Sequence, residues 1–85
     1  MRIYMQIPAM EDKPPRFYQL MLQKDLVDGW NLIRNWGETG SRGRVKQDHY
    51  SDLEQAQTAL LKVRDMQLER GYKVMFMQGQ ELPHE

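Results

Sequence analysis

The sequence contains no cysteine. That excludes a disulfide framework and any thiolate-held metal, and it suits a reducing compartment. No apolar run approaches the length needed to span a bilayer. The N-terminal stretch, broken by Pro8, Glu11, Asp12, Pro14 and Pro15, lacks the charged-then-apolar pattern of a signal peptide. These absences predict a cytoplasmic protein with no membrane contact. Histidine is scarce, with only His49 and His84 present. His49 follows Asp48 in an extended segment, so the two side chains point to opposite sides and cannot work as an acid–base pair. Gly37, Gly40 and Gly43 are not followed by Gly-Lys-Ser/Thr and open no helix, so they make no phosphate loop. The expectation is a protein that is not an enzyme, with no catalytic residue, metal or cofactor.

Net charge is also missing: 12 basic side chains balance 12 acidic ones over 85 residues. The balance is not local. Residues 30–50 hold Arg34, Arg42, Arg44 and Lys46 against Glu38 and Asp48, whereas residues 51–85 hold four basic and six acidic side chains. The small positive excess coincides with a stretch rich in glycine.

The residues present describe one small domain, 1–85. Arg2–Ile7 has strand-forming residues and stops at Pro8; the proline-rich segment to Pro15 reads as a connector. Arg16–Lys24 alternates, with Tyr18, Leu20 and Leu22 on one side and Phe17 and Met21 on the other. Asp25–Gly29 ends in Asp-Gly, a hairpin signal, so Trp30–Trp36 should fold back with Trp30, Leu32, Arg34 and Trp36 on one face. Arg44–Tyr50 can return as a further strand. Ser51 with Glu54 reads as a capping box, opening a helix of about residues 52–70 with Leu53, Ala56, Leu60, Val63 and Gln67 at helical spacing. Gly71 is placed to end it, and Arg70 complements its negative end. Tyr72–Met77 reads as a last strand, and 78–85 as a flexible tail. The fold class is therefore α+β: an antiparallel sheet of about five strands with one helix across a face.

Met5, Met21, Met66, Met75 and Met77 suit the irregular gaps of a small core, although a methionine-rich strand can also face a partner or a second copy of the chain. The hairpin tip N-W-G-E-T-G-S-R-G-R, residues 35–44, leaves two readings open. Trp36 can close the end of the sheet while Arg42, Arg44 and Lys46 solvate it. Alternatively, the indole can stack on a sugar or base while these cations and Arg34 contact phosphate.

The run R-F-Y-Q-L…G-W-N-L-I-R-N-W-G-E-T-G-S-R-G-R, followed by a capped helix with A-x-x-A-L and by R-G-Y-K, resembles the WGR domain. The resemblance is strongest over 17–73 and extends to the short stand-alone bacterial versions, which Gly43–Val45 (G-R-V) suits best. It implies an antiparallel sheet crossed by one helix, and DNA binding at strand ends or breaks. The family's motif tryptophan, which packs against a terminal sugar in poly(ADP-ribose) polymerases, matches Trp36. Arg34 matches an arginine two residues earlier, and Gly37 and Gly40 match the turn glycines. The motif arginine, which in the polymerases couples DNA binding to neighbouring domains, is replaced by Glu38. Together with the cations of the hairpin tip, the expected nucleic-acid-binding residues are Trp36, Arg34, Arg42, Arg44 and Lys46, with Gly37, Gly40 and Gly43 shaping the loop. The alternative function is a protein–protein interaction module using the same hairpin, and a homodimer through an exposed strand edge is a third arrangement.

Overall fold

The computed structural model describes residues 1–79. Its elements run β1 (Arg2–Ile7), β2 (Arg16–Lys24), β3 (Trp30–Glu38), β4 (Arg44–Tyr50), α1 (Leu53–Glu69) and β5 (Lys73–Gln78). The strands form one antiparallel sheet in the order β4-β3-β2-β1-β5. Two hairpins build β2, β3 and β4 in succession. The helix then crosses the sheet and carries the chain from the β4 edge to the β5 edge. This is the α+β arrangement read from the strand alternation and the single amphipathic segment. No helix among the described residues is long and apolar enough to cross a membrane.

Side-chain alternation decides which face is covered. Ile3, Met5, Tyr18, Leu20, Leu22 and Leu32 point to one side, where Ala56, Leu60 and Tyr72 close over them. Burying such side chains is the main favourable term in a domain this small. The other face carries no helix. On it Phe17 is still buried, stacked at 6.4 Å on Tyr4 of β1.

Three local features differ from the sequence pattern. The helix is capped by Asp52, not by the Ser51–Glu54 pair. The Asp52 carboxylate accepts from the Gln55 N–H at 2.8 Å, one residue later than the capping-box spacing suggested. Methionine divides by position: Met5 is fully buried, but Met75 and Met77 on β5 are 58 and 48% exposed, because α1 packs over β2, β3 and β4 and not over β5, and Met66, on α1 itself, is 46% exposed. β5 begins one residue late and includes Gln78; residues 80–85 of the expected tail lie outside the described residues. The helix stop agrees with expectation. Gly71, at φ +105°, donates to the Leu68 carbonyl and Tyr72 donates to that of Gln67, which turns the chain and brings Tyr72 back onto the core.

Candidate nucleic-acid interface

The β2–β3 register places Tyr18 opposite Trp36 and Arg16 opposite Glu38. The β3–β4 register places Arg44 opposite Trp36 and Lys46 opposite Arg34. Directly paired residues share a face, so Arg16, Arg34, Trp36, Glu38, Arg44 and Lys46 all project on the side that carries the helix. Trp36 belongs to β3 and not to the loop, which is confined to Thr39–Gly43. That loop is held firmly. Thr39 donates to the Pro15 carbonyl at 2.9 Å, and the Ser41 N–H and hydroxyl both donate to the Glu38 carbonyl. Asn35 Nδ2 ties the first carbonyl of β4, that of Arg44, back to β3 at 2.9 Å.

Gly43 shows why glycine is needed. At φ +75° a Cβ there would stand 2.5 Å from the Trp36 carbonyl oxygen and 2.9 Å from Phe17 Cζ. The loop can close over the end of the sheet only without a side chain at this position.

Trp36 is half-buried and presents one ring face to Tyr18, with centroids 5.5 Å apart and planes 12° from parallel. The Arg34 guanidinium lies 5.8 Å from the indole centroid, a cation–π distance. Arg34 also reaches Asp48 Oδ2 at 3.5 Å, so part of its charge is offset within the sheet. The indole is thus oriented by its neighbours, leaving only part of its surface open to a ligand.

Next to it lies a pocket of about 270 Å³ between β2, β3 and the C-terminal end of α1, lined by Arg16, Arg34 and Arg70 together with Tyr18, Trp36, Met66, Gln67 and Tyr72. Tyr72 meets Tyr18 edge-on at 5.8 Å and closes the pocket floor. Gln67 is only 4% exposed, yet its Oε1 has no hydrogen-bond partner, and neither has the buried Arg34 Nε. Buried polar atoms are nearly always paired in folded proteins. Both atoms belong to residues that line the pocket.

Of the residues expected from sequence, Trp36 and Arg34 line this pocket, and Arg44 and Lys46 stand exposed on the neighbouring strand. Arg42 is exposed in the loop and does not line the pocket. Arg16, Arg70 and Gln67 are not expected at the site from sequence, which places Gln67 and Arg70 only as parts of the helix. Arg16 was legible in principle, because pairing Lys24 with Trp30 sets it opposite Glu38; Arg70 and Gln67 required the packing direction of the helix. Glu38 stands exposed at the strand end and makes no ion pair among the described residues.

His49 and Asp48 point to opposite faces, as the alternation requires. Asp48 turns to Arg34, while His49 Nε2 lies 2.8 Å from the Asp28 carbonyl at the far end of the sheet. Among the described residues no group of three His, Cys, Asp or Glu side chains is arranged to hold a metal ion.

Comparison with known proteins gave one result: the family model described as the WGR domain matches residues 1–77, which span all five strands and the helix up to Met77. Searches of the curated proteins and of the solved structures gave no match. In proteins like the poly(ADP-ribose) polymerases the WGR domain is a small nucleic-acid-binding module that is not catalytic by itself. The chain belongs to the WGR domain family.

Proposed function

We propose that this protein binds nucleic acid, and DNA strand ends or breaks in particular, through the surface formed by Trp36 and the arginines around it. One observation carries the reading. Three arginines, Arg16, Arg34 and Arg70, line one pocket together with Trp36, Tyr18, Tyr72 and the buried Gln67. Cations beside oriented aromatic rings suit a phosphate next to a sugar or base. A pocket of about 270 Å³ has room for about one nucleotide and not for duplex, which supports a strand terminus as the ligand. Arg44 and Lys46, with Arg42 in the loop, extend the positive surface along the adjoining strand and would contact the phosphates that follow. The site acts by position and charge alone.

Glu38 does not abolish this surface. It sits at the rim opposite Arg16, where it lowers the local positive potential. Replacing it should therefore raise affinity. The experiment is an electrophoretic titration of the protein against blunt, nicked and single-stranded DNA at low salt, repeated with Glu38→Arg. The nucleic-acid reading expects binding to ended substrates and a gain with Glu38→Arg. Absence of binding to all three substrates would sink it. The second reading, a protein–protein interaction module on the same hairpin in which Glu38 pairs with a partner cation, expects loss with Glu38→Arg. A homodimer would use a different surface, the apolar strand edge at Val74–Met77, which is exposed at the side of the sheet away from Trp36.

A further inference from the structure

The two edges of the sheet are built differently. β4 carries Arg44, Lys46, Asp48 and His49 along one edge, the charged type of edge strand that resists pairing with another chain. β5, at the other edge, carries Lys73 as its only charge and then Val74, Met75, Phe76 and Met77, exposed by 38, 58, 45 and 48%. Pairing with β1 sets Val74 and Met77 opposite Met5 and Ile3, on the helix side, and Phe76 opposite Tyr4, on the open side. The strand is therefore apolar on both faces, the pattern of a strand interior to a sheet, although it lies at the edge. Met75, the most exposed of the four, falls at a register shift and has no partner on β1.

We propose that β5 is a self-association edge, pairing antiparallel with β5 of a second copy so that the two five-stranded sheets continue as one. The occupant is a second copy because the strand suits itself. With zero net charge on the chain, two copies approach without bulk repulsion. Any antiparallel pairing centred between Val74 and Met77 sets Lys73 of one copy away from Lys73 of the other and apolar side chains against apolar side chains. Such a two-fold contact uses the edge once per copy and closes at two, because the remaining edges are the charged β4 strands. β3, which carries Trp36, stands three places from β5 in the strand order, so the indole lies away from the contact, while Arg70 and Tyr72 of its pocket immediately precede β5. A dimer would hold two such surfaces and could bridge two strand ends; this consequence rests on the nucleic-acid reading, whereas the dimer does not.

The test is made without nucleic acid. Sedimentation equilibrium should show a monomer that becomes a dimer as concentration rises, and Met75→Lys with Phe76→Lys should abolish the dimer. In case those changes disturb folding, a second measurement uses the absence of native cysteine. Met75→Cys treated with a short bismaleimide should give a covalent dimer much faster than Val45→Cys on β4, a position 67% exposed. A monomer at every concentration, equal cross-linking at the two positions, or growth beyond dimers would each overturn the proposal.

Discussion

Trp36 lies flat on Tyr18, its cross-strand partner, while Tyr18 belongs to the buried core and Trp36 is half-exposed above it. The pair joins the stability of the fold to the geometry of the surface. Removing either ring should harm end binding, but for different reasons. Tyr18→Ala opens the core and should cost about 3–5 kcal/mol of unfolding free energy, as large-to-small core changes do. Trp36→Ala should cost only about 1–2 kcal/mol of stability, since it forfeits one stack and a partly buried ring. Its effect on end binding should be larger than its effect on folding, at about 1–3 kcal/mol of lost stacking. Denaturant titration beside DNA titration separates the two.

Gln67 gives a sharper contrast. Its buried Oε1 has no partner, so replacing the amide by an apolar group of similar size removes a desolvation cost. Gln67→Met should leave thermal stability unchanged or raise it by up to about 1 kcal/mol, while weakening ligand binding. Arg16→Ala and Arg70→Ala should each reduce the log–log salt slope of DNA binding by about 0.9, the value of one phosphate contact to duplex. If Arg42, Arg44 and Lys46 carried all the phosphate contacts, those two changes would leave the slope untouched.

Gly43→Ala tests the loop. A methyl group would press on the Trp36 carbonyl and Phe17, at a backbone angle that side chains rarely adopt. The expected cost is about 1–3 kcal/mol, visible as a lower denaturant midpoint. Gly40→Ala meets nothing within 4 Å, so only its positive φ opposes it and the cost should be smaller.

The far end of the sheet should respond to acid. Asp25 is held below the ordinary carboxylate value of 3.8 by hydrogen bonds from the Val27 N–H and from Asn31, aided by the charge of His49 and opposed by slight desolvation. Its folded value lies below its unfolded one, so its contribution is present above the unfolded value and is lost as pH falls through the folded value. Thermal midpoints measured downward from about pH 5 should fall below about pH 4, and Asp25→Asn should flatten that fall. A variant with the same pH profile as the parent protein would show that the carboxylate charge does no work there.

Much of this fold was legible because it rests on local periodicity. β1, β2 and β4 have the bounds that alternation and punctuation suggested, and α1 differs by a residue at each end. The misplaced cap has a simple cause, since S-D-x-E-Q offers two overlapping caps and the aspartate took the position. The exposed Met75 and Met77 were not legible, because apolar content does not tell which strands a single helix will cover. The candidate site divides in the same way. Trp36 and Arg34 follow from alternation within one strand, whereas Arg70 and Gln67 come from the last turn of a helix whose packing direction no local pattern encodes.

The central claim is that the Trp36 surface engages strand ends. It is tested most directly by competing a linear duplex against a covalently closed circle of the same sequence, with the parent protein and with Trp36→Ala. The account predicts that the linear form competes far better for the parent protein, and that Trp36→Ala reduces this advantage while retaining weak, salt-sensitive binding to both forms. Equal competition by circle and line with the parent protein would contradict it.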